Sequence, residues 1–77
     1  MGRAALTPDE WLKDDEIMLD WLKGRLERSG AYVVTSPDHG RRHSLLYSLH
    51  NLVRREDGEE EFRQLKESWR RHESDLT

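Results

Sequence analysis

Phe62, Leu65, Trp69, His72 and Leu76 follow one another at intervals of three, four, three and four residues, in a stretch where most other positions are charged. Helical spacing brings them onto one face, so this part of the chain is predicted as a helix over 59–73 with a single aromatic-rich seam. A seam this narrow cannot form the inside of a core, and it is too apolar to stand in water. It has to dock, either on the rest of the chain or on another molecule.

The rest of the chain offers two further helices. Thr7-Pro8-Asp9-Glu10 combines a capping threonine, a proline suited to the first helical position and a carboxylate placed for a capping box. A first helix is therefore predicted over 8–28, with Trp11, Leu12, Met18, Leu19, Leu22 and Leu26 on one face, Ile17 and Trp21 widening it, and Ser29-Gly30 as the stop. A second is predicted over 41–56, with Leu45, Leu46, Leu49, Leu52 and Val53 on one face and Tyr47 off it. If this helix ran on into the third, the Leu49/Leu52 and Phe62/Leu65 stripes would be out of phase, and a joint at Asp57-Gly58 removes the conflict. Glu59-Glu60-Glu61 then places negative charge at the positive end of the third helix.

Between the first two helices, Ala31-Tyr32-Val33-Val34-Thr35 is β-branched and aromatic, which favours extended backbone, and Ser36–Gly40 has the composition of a turn. A lone extended segment can pair with a second copy, add to a partner's sheet, or run as a connector over the helices. The connector is the reading adopted, because no companion strand is visible. The expectation is an all-α, small three-helix domain over residues 7–77, with one short extended segment between the first and second helices. The apolar faces of those two helices pack together, and residues 1–6 form a flexible N-terminus.

A chain of 77 residues buries only about 60% of the surface its unfolded form exposes, so its stability margin is thin. With no cysteine, disulfides and thiolate zinc sites are excluded, and self-association or a partner is the remaining support. No apolar run approaches a membrane span, and none follows Arg3 as a signal-peptide core would; a cytoplasmic protein is expected. Net charge is −3 but unevenly spread. Residues 1–20 carry six acids against two bases, and residues 21–58 carry seven bases against four acids.

Candidate chemistry is sparse. His39, His43 and His50 have spacings that one helical face could align, yet Pro37 and Gly40 argue against a helix at His39, and no metal or other cofactor is predicted. Asp14, Asp15 and Glu16 are consecutive and point in different directions, reading as a solvated face rather than an acid–base pair. Ser44 and Ser48 lack a base and an orienting partner, so no catalytic residue is assigned.

Trp11-Leu12-Lys13-Asp14, followed by Ile17, resembles the Trp-Leu-Asn-Asp opening helix of the SUMO-specific cysteine proteases. Lysine replaces the asparagine, and the chain has no cysteine to act as that family's nucleophile. The resemblance implies no active protease, and no site is carried over from it.

Tryptophan and arginine are enriched at the energetic centres of protein interfaces, and this chain has three tryptophans. The leading expectation is thus a non-enzymatic, self-associating protein–protein interaction module, acting as a small adaptor, inhibitor or regulatory subunit. Phe62, Leu65, Trp69 and His72 form its contact seam, with Arg63, Lys66 and Arg70 as the charged flank. One alternative is a small nucleic-acid-binding regulator using Arg41, Arg42, Arg54 and Arg55. Another is a structural or assembly component of a larger complex.

Overall fold

Thr7 and Glu10 form the expected capping box: the Glu10 N–H donates to Thr7 Oγ1 (3.4 Å) and the Thr7 N–H to Glu10 Oε1 (3.3 Å). The computed structural model describes residues 7–34 and 40–76. The expected flexible segment 1–6, with Thr35 and most of the expected turn, lies outside the described residues. The fold is all-α, with no strand among the described residues: α1 (Pro8–Trp11), α2 (Glu16–Ser29), α3 (Gly40–Val53) and α4 (Gly58–Leu76).

The single helix expected over 8–28 is divided in two. Leu12 takes an extended conformation (φ −79°, ψ 116°), and the Asp15 carboxylate caps a new helix, accepting from the N–H groups of Ile17 (2.9 Å) and Met18 (3.4 Å). Trp11 and Leu12 are buried before the break, and Met18 and Leu19 after it. Apolar spacing alone is met by one helix as well, so what favours the break is its bonding: the Asp15 cap and a partner for the carbonyl it frees. Arg42 then donates to the freed Leu12 carbonyl (2.9 Å), giving it a partner.

At its other end α2 stops at Gly30, whose left-handed φ of 77° lets the N–H groups of Ala31 (2.9 Å) and Tyr32 (3.2 Å) donate to the Leu26 carbonyl. Arg41 pairs with Asp20 near the start of α2, while Leu52 and Arg55 border the same surface hollow as Leu26 and Ser29 near its end. Thus α2 and α3 run parallel. The chain between them has to return the length of a helix, about 21 Å, and extended backbone covers that at about 3.3 Å per residue. Ala31–Val34 is the described part of this return, packed as a connector. Ala31 is buried, Tyr32 packs on the core, and the Val33 N–H donates to Ser48 Oγ (2.8 Å), whose hydroxyl in turn lies 2.9 Å from the Ser44 carbonyl. The buried Ser48 is therefore the connector's anchor on α3.

The core joins Met18, Leu19, Leu22 and Leu26 of α2 to Leu45, Leu49 and Leu52 of α3, as the two stripes predict. α3 ends at Val53 and α4 extends to Leu76, against expected ends at 56 and 73. The early end of α3 follows from the joint. Gly58 is buried at the very start of α4, and its N–H donates to the Arg55 carbonyl (3.0 Å). A β-carbon there would stand 2.7 Å from Val53 Cα and closer still to the Leu52 carbonyl oxygen.

Because those neighbours are backbone, they cannot swing aside. Gly58→Ala is expected to destabilise the fold by about 1–3 kcal/mol, although alanine is intrinsically the better helix former. Urea unfolding checks this; an unchanged or higher midpoint would mean that α3 and α4 do not approach so closely.

Candidate protein-interaction groove

The seam of α4 closes largely on its own chain. Phe62 meets Trp11 edge to face (centroids 5.5 Å, 88°), and Trp69 meets Trp21 (5.3 Å). His72 stacks on Trp21 (6.0 Å, 28°) and touches Trp69 (5.7 Å). Phe62 and Trp69 are buried, Leu65 and His72 half-buried, and only Leu76, 53% exposed, emerges. The large aromatics assigned to an external contact seam thus serve the interior. What they leave outside is the flank.

Arg63, Lys66 and Arg70, three and four residues apart, lie along one stripe of α4 and border a groove of about 450 Å³. Its other wall includes the break between α1 and α2, which contributes Lys13, and Trp11 and Trp69 line it with the small part of their surface left exposed. The sequence reading missed this wall. Its signal was Asp14-Asp15-Glu16, read as a solvated face, where Asp15 is in fact the cap that turns the chain.

Of the four cations, Arg63 is committed within its own helix. It donates to Glu60 (2.5 Å and 3.2 Å) and to Glu67 (3.1 Å), and these bonds raise its pKa while lowering that of Glu60. Lys66 spreads its stem over Phe62, its Nζ 4.7 Å from the ring centroid, and burial lowers its pKa from the ordinary lysine value. Lys13, Lys66 and Arg70 make no ion pair among the described residues. Of the acids bordering the groove, Glu10 is held in the capping box and Glu67 by Arg63, leaving Glu73.

The four arginines of the nucleic-acid alternative are dispersed. Arg41 pairs with Asp20 and Arg42 reaches the Leu12 carbonyl, so both tie α3 to the start of the chain. Arg54 and Arg55, in the turn before α4, are exposed. His50 pairs with Asp9 (2.5 Å), bridging α3 to α1, and His39 lies outside the described residues. Among the described residues there is no group of three or more potential metal ligands and no helix long and apolar enough to cross a membrane.

The chain matches no family model, no curated protein and no solved structure. A functional reading accordingly rests on the geometry of these side chains.

Proposed function

We propose that this chain is a non-enzymatic protein–protein interaction module, an adaptor, inhibitor or regulatory subunit, that engages its partner along the flank of α4 and the adjoining groove. One observation carries the reading: Lys13 and the α4 cations line one groove together with Trp11 and Trp69, and Lys13, Lys66 and Arg70 have no carboxylate partner among the described residues. Interfaces commonly combine such an apolar centre with charge that sets orientation and partner choice. The nucleic-acid alternative has less support, since two of its four arginines are engaged within the fold.

Lys66→Glu combined with Arg70→Glu tests the proposal, because Arg70 is exposed and Lys66 is half-buried over the outer side of Phe62, so that neither is itself a core residue. The double variant is expected to keep its helical circular dichroism and lose the proteins that the unmodified chain captures from lysate of its native host. Capture of the same set by both would overturn the reading.

A further inference from the structure

We infer that the occupant of this groove is an acidic peptide segment of a partner protein, one carboxylate seated among Lys13, Lys66 and Arg70 and a neighbouring apolar side chain resting on the exposed edges of Trp11 and Trp69. This rests on the reading of the groove as an interaction site and specifies its ligand.

Charge complementarity is the first argument. In a chain of net charge −3, the uncommitted groups at the groove are three cations against Glu73. Such a local positive surplus attracts carboxylates against the sign of the whole molecule. Lys66 gives the second argument. Its ammonium is partly withdrawn from water over the Phe62 ring, which answers its charge less fully than a carboxylate does. A partner carboxylate would offset that desolvation.

Size agrees, since about 450 Å³ falls within the range of sites that enclose a few side chains. A larger hollow of about 880 Å³ lies at the α3–α4 joint, but Glu56, Asp57, Glu59 and Glu60 border it against Arg55 and Arg63, so it lacks this complementarity.

A second copy of the chain is the competing occupant, and the test separates it from a partner's peptide. Of its acids, Asp9 holds His50, Glu10 and Asp15 cap helices, Asp20 holds Arg41 and Glu60 holds Arg63, whereas Asp14, Glu16, Glu56, Asp57, Glu59 and Glu61 make no ion pair among the described residues.

Selection from a random peptide library on the immobilised chain, followed by fluorescence titration of the enriched peptides, tests the inference. Enrichment of peptides with Asp or Glu beside an aliphatic or aromatic residue is expected. Their affinity should fall roughly tenfold or more with Lys66→Glu/Arg70→Glu, and likewise when the peptide acids become Asn or Gln. Arg54→Glu/Arg55→Glu, away from the groove, should leave it unchanged.

Enrichment of neutral or basic peptides that still require Lys66 and Arg70 would overturn the acidic ligand while leaving the interaction site standing. Peptides insensitive to the α4 reversal, or a chain that enriches no peptide yet binds mixed-sequence duplex DNA, would overturn both. Concentration-dependent sedimentation of the chain alone, abolished by the α4 reversal, would make the occupant a second copy and overturn this inference.

Discussion

Trp69→Ala is expected to cost about 3–5 kcal/mol of stability, the range for truncating a buried tryptophan. A chain of this length commands in total only roughly 4–12 kcal/mol, at about 0.05–0.15 kcal/mol per residue. Most of the population is therefore expected to unfold well below the melting temperature of the unmodified chain. Trp69 is 7% exposed and joins Trp21 of α2 and His72 of its own helix, so its removal opens one of the contacts between α4 and α2. Trp69→Phe, which keeps a ring there, should cost distinctly less. Thermal unfolding followed by circular dichroism checks both. A normal melting curve for Trp69→Ala, combined with lost association, would show instead that the seam faces outward in solution.

The pattern of Phe62, Leu65, Trp69, His72 and Leu76 was legible because a 3.6-residue period leaves no other way to align them. Periodicity does not say what lies opposite. That answer is in Trp11 and Trp21, which meet α4 from either side of the cap at Asp15. The apolar positions from Trp11 to Leu26 fit one helix nearly as well as two. The choice between them is made by the Asp15 cap and by the Leu12 carbonyl's bond to Arg42, a tertiary contact that sequence spacing does not contain. The connector was legible in kind, from the β-branched run after Gly30, but its anchor Ser48 was not. A serine on the leucine-rich second helix looks like any other until extended backbone is laid against it.

The same limit applies to charge. Arg63, Lys66 and Arg70 share a stripe by spacing alone, and that stripe could be drawn from the sequence. Arg41, Arg42, Arg54 and Arg55 read equally well as a basic set. Geometry separates the two groups: Arg41 and Arg42 are engaged by Asp20 and the Leu12 carbonyl, whereas Lys66 and Arg70 face an open groove. Which cations are committed is a property of the folded chain, because the partners lie 21 and 30 residues away in sequence.

Leu22→Ala is expected to destabilise the fold by about 2–5 kcal/mol, since the lost methyl and methylene groups leave a cavity that the surroundings fill only in part. Leu22 is fully buried at the middle of α2, in one core with Leu26, Leu45 and Leu49, so the vacated space is walled by both parallel helices. For a domain of this size each 1 kcal/mol corresponds to about 4–8 °C, and the melting temperature should fall by at least about 8 °C. Ile17→Ala supplies the comparison. Ile17 is 55% exposed on the first turn of the same helix, and truncating it should change stability by no more than about 0.5 kcal/mol, as for an ordinary surface position. From sequence alone both residues belong to one broad apolar face, and the break at Leu12 together with the cap at Asp15 sets which of them turns inward. Equal losses for the two variants would mean that α2 is rotated from this arrangement.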